Sequence, residues 1–340
     1  MSNAPQTRAT RLDRNLALEL VRATEAAAIA ASRHLGRGDK EQVDRAAVDA
    51  MRPVLGSIAM RGTVVIGEGE KDEAPMLYNG EELGDGTGPE VDIAVDPVDG
   101  TTLTAKSLPN ALAIVAVAER HTMFDPGPCV YMEKLVVAAD LADAVDFTSP
   151  VEHNLKQIAD RRGQAVEDLT VCILDRPRHE DELVKRVRAA GARIKFLLDG
   201  DVAGAIMAAQ PETGVDLMIG IGGTPEGVLA ACALKCLGGA FFGRLYPRDD
   251  DERHRAREAG YDVTRVLALD DMVRSDNVFV AATGVTDGEL LRGVRFSADT
   301  ATTHSLSMRS LSGAVRSIET RHRMSKSNLV VGRRATQLDP

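Results

Sequence analysis

One short segment limits what this chain can fold into more than any other: the run Asp96-Pro97-Val98-Asp99-Gly100-Thr101-Thr102. It follows the apolar stretch 91–95, whose composition is typical of a buried strand. Proline lacks the amide hydrogen that strand pairing needs, and glycine accepts backbone conformations that other residues resist. We therefore expect Pro97 to end the strand and Gly100 to allow a sharp turn.

The side chains of this turn are suited to holding a cation. Asp96 and Asp99 are three residues apart and are followed by two threonine hydroxyls. Such hard oxygen ligands suit Mg²⁺ or Mn²⁺, and a metal ion there could hold a phosphate group. The alternative is an Asx-Pro turn whose second aspartate caps a helix. The segment alone leaves both interpretations open.

Composition excludes several classes of protein. The chain has 340 residues, 44% of them hydrophobic, and a net charge of −10, which argues against nucleic acid as its main partner. No stretch approaches the roughly 20 apolar residues of a membrane span. The first residues are polar and lack the apolar core of a signal peptide. We expect a cytoplasmic protein with no membrane partner.

The cysteines do not form a metal-binding or redox motif. Cys232 and Cys236 are one helical turn apart in an apolar stretch, while Cys129 and Cys172 stand alone. No Cys-x-x-Cys pair occurs, so we expect buried, reduced thiols rather than a soft-metal site.

Hydrophobic periodicity predicts a mixed α/β chain in two parts. We expect a disordered arm at 1–11, an N-terminal α+β metal-binding domain at 12–150, a C-terminal α/β domain at 151–330 and a tail at 331–340. In the first domain we predict helices at 12–35 and 39–60, with Asp39 as an N-cap, and strands at 63–66, 91–95, 111–118 and 135–138. In the second we predict strands at 171–174, 193–197 and 216–221 and helices at 180–190, 201–209 and 225–237.

Two further acidic features have the residue types of a catalytic site. Lys40 and Asp44 are four residues apart, so on a helix they share one face. The glycine-flanked run that contains Glu68, Glu70 and Asp72 brings together acids that repel one another unless a cation lies among them. The ordinary alternatives are a surface ion pair and a solvated acidic loop.

Three segments at predicted strand ends in the second half could bind an anionic sugar. The turn 220–227 does not match Gly-x-Gly-x-x-Gly, but it could present helix amides and the Glu226 carboxylate to a ligand. Arg176-Pro177-Arg178 could grip a phosphate, and Asp199-Gly200-Asp201 could accept hydrogen bonds from sugar hydroxyls. Ligands of such sheets collect beyond the carboxyl ends of the strands. Plain loops remain the alternative for each.

Taken together, these motifs resemble the class II fructose-1,6-bisphosphatases of the GlpX type. That family belongs to the lithium-sensitive, metal-dependent phosphatases, which include the inositol monophosphatases. The resemblance runs from about residue 12 to residue 330. The matching motifs include Gly36-Arg37-Gly38-Asp39-Lys40, Ile66-Gly67-Glu68-Gly69-Glu70, Asp96-Pro97-Val98-Asp99-Gly100-Thr101, Tyr131-Met132-Glu133-Lys134-Leu135, Pro177-Arg178-His179 and Asp199-Gly200-Asp201-Val202.

The resemblance implies a role for each matching residue. The divalent-metal ligands, for Mg²⁺ or Mn²⁺, would be Asp44, Glu68, Asp96, Asp99 and Glu226. The substrate-binding residues would be Asp99, Gly100, Thr101, Tyr131, Arg176, Pro177, Arg178, Asp199, Gly200, Asp201 and Gly223. The catalytic residues would be Lys40, Glu70, Asp72 and Thr101. The five ligand acids would converge in space.

The resemblance also implies a fold and an activity. The fold would be a layered α/β/α/β/α sandwich, and the protein a homo-oligomer, either a dimer or a tetramer. The activity would be hydrolysis of the 1-phosphate of fructose 1,6-bisphosphate in gluconeogenesis. The alternatives are a phosphatase for another sugar or polyol phosphate, such as sedoheptulose bisphosphate or an inositol phosphate, and a non-catalytic sugar-phosphate sensor.

Overall fold

The computed structural model describes residues 15–67 and 77–326, which form two compact units. Of these residues, unit 1 comprises the chain up to Thr122, Asn277–Arg309 and the chain from Val315 onward, and unit 2 comprises Met123–Asp276 with Ser310–Ala314. The predicted arm at 1–11 and tail at 331–340 lie outside the described residues.

The described residues form helices and strands in a mixed order. The helices are α1 Leu16–Ser32, α2 Lys40–Gly56, α3 Thr101–Lys106, α4 Val151–Arg162, α5 Pro177–His179, α6 Lys185–Ala189, α7 Val202–Ala208, α8 Thr224–Leu237, α9 Asp250–Glu258 and α10 Leu269–Met272. The strands are β1 Arg61–Ile66, β2 Glu82–Leu83, β3 Glu90–Asp99, β4 Leu112–Glu119, β5 Tyr131–Val137, β6 Thr170–Leu174, β7 Arg193–Leu197, β8 Leu217–Gly223, β9 Ala240–Tyr246, β10 Leu267–Ala268, β11 Phe279–Gly284, β12 Arg295–Ser297, β13 Thr300–Arg309 and β14 Ala314–Arg323.

Unit 1 packs α1 and α2 against a mixed sheet. The strand order is β12-β13-β11-β4-β3-β1-β2, with β14 paired to β13. β1 runs parallel to β3, and β4 is antiparallel to both β3 and β11. Leu20 of α1, Met51 of α2 and Val115 of β4 share one buried apolar cluster. This core supports the carboxyl end of β3, from which the turn at Gly100 leaves.

Two local predictions in unit 1 have clear outcomes. The predicted N-cap is confirmed, because the Asp39 carboxylate accepts a hydrogen bond of 3.0 Å from the Gln42 amide at the start of α2. The prediction that Pro97 ends the strand is wrong, since β3 continues to Asp99. The register of β3 against β4 shifts between Asp96 and Asp99. Such an irregularity tolerates a proline, because the missing amide hydrogen is not needed there.

Unit 2 is a mixed sheet with helices on both faces. Its strand order is β10-β9-β5-β8-β6-β7, in which β6, β7 and β8 run parallel to one another and β5 is antiparallel to β8 and β9. Leu135 of β5 packs in a buried cluster with Leu155 of α4 and Val187 of α6. The alternate residues Met132 and Lys134 face α8 instead. Two mixed sheets with packed helices confirm the predicted α/β class.

The structure differs from the predicted organisation in two places. The predicted domain boundary near residue 150 falls inside unit 2, because β5 pairs with β8 and β9. The predicted helix 180–190 is broken: α5 is followed by a π-helical turn at Glu180–Val184 and then by α6. π-Turns inside helices are often found at functional sites.

Candidate active site

The carboxyl end of β3 holds two buried acids. Asp96 is 6% exposed and Asp99 is 3% exposed. One oxygen of Asp96 accepts a hydrogen bond of 2.9 Å from the Val98 amide, an Asx-type contact that holds the turn. Gly100 adopts a φ of 95°, which favours glycine, so the predicted role of this residue in the turn is confirmed.

Thr101 links this turn to helix α2. Its hydroxyl lies 2.7 Å from a carboxylate oxygen of Asp44 and 3.1 Å from the Val98 carbonyl. Lys40 lies one helical turn before Asp44 on the same face of α2 and is exposed. Unit 1 therefore brings together the side chains of Asp44 and Thr101, both of which the sequence predicted as site residues.

The acidic run is the part of the predicted site that cannot be placed. Glu68, Glu70 and Asp72 lie outside the described residues. Among residues 15–67 and 77–326, no group of three or more His, Cys, Asp and Glu side chains is arranged to hold a metal ion. The predicted ligand set includes Glu68, so the convergence of the five acids stays a prediction.

In unit 2, a buried lysine pairs with a predicted substrate residue. The Lys134 ammonium lies 2.5 Å from an oxygen of Asp201, and the two side chains are 0% and 2% exposed. The other Asp201 oxygen is buried and has no hydrogen-bond partner among the described residues. A Cβ at Gly222 would lie 1.9 Å from Asp201, so this close approach requires glycine.

Glu226 lies in the first turn of α8, directly after the end of β8 at Gly223. Its Oε2 atom is buried and accepts no hydrogen bond within the described part of the chain. Burial raises the pKa of the Glu226 carboxyl above its ordinary value; Lys134 opposes this shift and Asp201 adds to it. A Cβ at Gly223 would lie 1.8 Å from Oε2. A carboxylate oxygen that lacks a donor in this way is suited to receiving a cation.

The two predicted phosphate-binding arginines have different surroundings. Arg176 donates hydrogen bonds of 2.7 Å to an oxygen of Asp199 and to the Leu198 carbonyl, so two predicted site residues pair with each other. Arg178 stacks over the Tyr131 ring, with its guanidinium carbon 4.7 Å from the ring centroid, and donates to the Ile221 carbonyl at 2.9 Å.

Space for a ligand is available beside Arg178. This residue is exposed and lines a cavity of about 390 Å³ within unit 2. Among the described residues, its guanidinium contacts the Ile221 carbonyl and the Tyr131 ring rather than a carboxylate. The Arg178 guanidinium is therefore better placed than that of Arg176 to bind an anion.

Sequence reasoning missed two buried residues of this region. Lys134 was read only as part of a matching motif, although it is in phase with the buried Met132 and Val136 along β5. His179 likewise entered only as part of the motif Pro177-Arg178-His179, yet it is 2% exposed and bonded through both ring nitrogens. A charged residue in phase with apolar neighbours is the signal that could have found Lys134.

Two predictions that bear on cofactors and partners can also be compared with the structure. All four cysteines are buried and outside any disulfide bond, as predicted, and burial raises the pKa of the Cys236 thiol to about 12. No helix within the described residues combines the length and the apolar composition needed to cross a bilayer.

Known proteins resemble this chain along most of its length. Residues 14–322 match the sequence profile of the family described as bacterial fructose-1,6-bisphosphatase, glpX-encoded. The chain is 45% identical over 324 residues to the class 2 fructose-1,6-bisphosphatase of Haemophilus influenzae, covering 92% of this chain and 97% of that protein. It is 43% identical over 328 residues to fructose-1,6-bisphosphatase 1 class 2 of Escherichia coli K12, covering 93% and 97%. The chain belongs to the glpX-encoded family of bacterial fructose-1,6-bisphosphatases.

Proposed function

We propose that this protein is a metal-dependent phosphatase of carbohydrate metabolism that hydrolyses fructose 1,6-bisphosphate to fructose 6-phosphate and phosphate. Membership of the family and the names of its relatives support this activity. The observation that carries the proposal is the end of β3, where the buried acids Asp96 and Asp99 are followed by Thr101, whose hydroxyl is hydrogen-bonded to Asp44. Removal of the 1-phosphate rather than the 6-phosphate is part of the proposal.

The residues present fit a divalent cation. Carboxylate oxygens are the ligands that Mg²⁺ and Mn²⁺ prefer, and the buried Oε2 of Glu226 lacks a donor among the described residues. We propose Asp44, Asp96, Asp99 and Glu226 as ligands. Glu68 is proposed with them. A bound cation supplies positive charge against the phosphoryl oxygens and makes a water molecule more acidic.

The chain's own groups would orient the attacking water. Thr101 lies within hydrogen-bond distance of Asp44, and a hydroxyl that donates to a carboxylate can still accept a hydrogen bond from water. Glu70 or Asp72 would accept the water's proton, and Lys40 would stabilise negative charge on the phosphoryl group. Hydrolysis of a phosphate monoester is extremely slow without such assistance.

Groups of unit 2 would hold the rest of the substrate. Arg178, which stacks on the Tyr131 ring, would bind the second phosphate, because a guanidinium presents paired donors to phosphate oxygens. Asp201 has one oxygen without a partner among the described residues, which can accept a hydrogen bond from a sugar hydroxyl. Arg176 would act together with Asp199, to which it is bound.

The setting of the enzyme is also part of the proposal. We propose that it works in the cytoplasm as a homo-oligomer, a dimer or a tetramer. Four buried cysteines outside any disulfide bond are compatible with a reducing compartment. Sedimentation at several protein concentrations would test the oligomer, and a strictly monomeric species would contradict it.

Release of inorganic phosphate is the direct test. With Mg²⁺ or Mn²⁺, fructose 1,6-bisphosphate should be hydrolysed faster than sedoheptulose 1,7-bisphosphate or an inositol monophosphate. Exhaustive chelation should abolish turnover, and added metal should restore it. Undiminished activity after chelation would rule out the metal site, and a clear preference for another ester would replace the proposed substrate.

A matched pair of variants in α2 tests the ligand assignment. Asp44→Asn should lower kcat by at least about tenfold to a hundredfold, the scale typical of a disturbed metal site. Asp49→Asn is the control, since Asp49 is an exposed residue of the same helix. Equal rates for the two variants would remove Asp44 from the site.

Thr101→Ala should lower kcat more than it raises KM, and the opposite pattern would contradict a role in orienting water.

A further inference from the structure

His179 lies where two neighbouring parallel strands of unit 2 separate. β6 pairs with β8 at Val171–Leu217 and at Cys172–Met218, although both strands continue beyond these pairs. Past them, the imidazole ring bridges the two strands. Its Nδ1 lies 2.7 Å from the Leu174 carbonyl of β6, and its Nε2 accepts a hydrogen bond of 2.7 Å from the Ile221 amide of β8.

These contacts determine the protonation state of the ring. The Ile221 amide can only donate, so Nε2 carries no hydrogen. A neutral imidazole then carries its hydrogen on Nδ1, which donates to the Leu174 carbonyl. His179 thus replaces ladder hydrogen bonds with bonds through a side chain, so the Leu174 carbonyl and the Ile221 amide both have partners where β6 and β8 are no longer paired.

The neighbouring glycine is matched to this ring. Gly220 has a φ of 143°, and a Cβ there would lie 3.1 Å from ring atoms of His179. Strand β8 therefore leaves room for the imidazole where a larger residue would press on it. Burial lowers the pKa of His179, and Arg178 and Arg176 add to this shift. The hydrogen bond to the Leu174 carbonyl and the charge of Asp201 oppose it, but the net shift is downward and favours the neutral ring.

The bridge acts on the residue that positions Arg178. The Ile221 amide is held by His179, and the Ile221 carbonyl accepts hydrogen bonds from the Arg178 guanidinium at 2.9 and 3.3 Å. Arg178 also precedes His179 directly in the chain. We infer that His179 is a positioning residue: by holding Ile221, it fixes the place at which the Arg178 guanidinium receives the second phosphate of the substrate. This inference rests on the proposed function.

Three substitutions separate the two hydrogen bonds of the ring. His179→Gln places an amide oxygen near the position of Nε2 and keeps an acceptor for the Ile221 amide. His179→Asn keeps a donor near the position of Nδ1 but does not reach Ile221. His179→Phe fills the space and makes neither bond. Thermal melting identifies any variant that fails to fold, and the comparison of Gln with Asn remains if Phe is unstable.

The readout is steady-state phosphate release from fructose 1,6-bisphosphate and from fructose 1-phosphate, which lacks the second phosphate. The His179→Phe and His179→Asn variants should raise KM for the bisphosphate by about tenfold, which is the effect of losing one hydrogen bond. Their kcat should stay within about twofold of wild type. The His179→Gln variant should have a KM close to that of wild type. Fructose 1-phosphate should show no such differences. In an Arg178→Ala background, His179→Phe should add little, because the residue through which it acts is gone.

Other outcomes overturn the inference. An unchanged KM in the Phe and Asn variants would show that Ile221 does not position Arg178. An equal loss of kcat/KM with both substrates would show that His179 only supports the fold. If wild-type protein did not hydrolyse the bisphosphate, the proposed function would fail and this inference with it. An active wild type with unaffected variants would remove the inference alone.

Discussion

Replacing Lys134 with methionine takes a positive charge away from two buried carboxylates, those of Asp201 and Glu226. The Lys134 ammonium is 2.5 Å from Asp201, and neither side chain is more than 2% exposed. Its charge also opposes the rise in the pKa of Glu226. Methionine has a similar length and an apolar end, so the substitution removes the charge with little change in packing. In the folded variant, we expect the Asp201 and Glu226 carboxylates to stay buried without the positive charge of Lys134 beside them.

The structure gives the expected size of this effect. Breaking a buried ion pair by removing one partner costs about 3–5 kcal/mol, because the other charge is left uncompensated. For a unit of this size, 1 kcal/mol shifts the melting temperature by about 2–4 °C. Lys134→Met should therefore lower the melting temperature of metal-free protein by about 6–20 °C. The loss should shrink as pH falls, because the Glu226 carboxyl, whose pKa is raised by burial, then takes up a proton and no longer needs the Lys134 charge.

Two comparisons make the test specific. Lys185→Met removes a lysine that lies 2.8 Å from Asp181, but both side chains are largely exposed, so this variant should melt close to wild type. The double variant Lys134→Met/Asp201→Leu removes both charges and should recover part of the stability lost in the single variant. Differential scanning calorimetry measures all three. A Lys134→Met variant that melts with the Lys185→Met control would refute the reasoning.

Two other perturbations have a definite sign. Gly100→Ala places a Cβ 2.8 Å from Leu103 at a φ of 95°. It should lower the free energy of unfolding in chemical denaturation by about 1–3 kcal/mol and also lower kcat. A denaturation midpoint equal to that of wild type would contradict the strain inferred at this turn. The pKa of His179 is lowered from 6.5, so the unfolded chain binds its proton first as pH falls. The stabilising contribution of His179 is thus complete above that value and is lost as pH falls through the folded pKa. The difference in unfolding free energy between wild type and His179→Gln should therefore decrease from about pH 7.5 to about pH 5.5, and a constant difference would contradict the neutral bridge.

Elements with strong local signals could be predicted from the sequence. The strand predicted at 193–197 is β7 with the same bounds, and the helix predicted from 225 to 237 is α8 with one more residue. Asp39 caps α2 as its spacing indicated. In each case the apolar period or the capping residue lies within the element itself, so no distant contact was needed to recognise it.

Features that depend on distant partners could not be predicted in this way. β11 lies beside β4 in unit 1, with Val280 opposite Ala116, although strands β5 to β10 lie between them in the chain. The domain boundary was placed too late for the same reason, since β5 finds its partners in β8 and β9. Local periodicity carries no information about which strands will pair.

The sequence correctly indicated a strand-to-helix turn at Gly222-Gly223, but it gave only part of the physical reason why both residues are glycine. The sequence indicated a turn whose helix amides face an anion, and β8 does pass directly into α8 there. Yet a Cβ at Gly222 would meet Asp201 at 1.9 Å, and one at Gly223 would meet Glu226 at 1.8 Å. The missing side chains therefore make room for carboxylates rather than only for a ligand. Because Asp201 and Glu226 come from different elements, this requirement becomes visible only when β8, α7 and α8 are packed together.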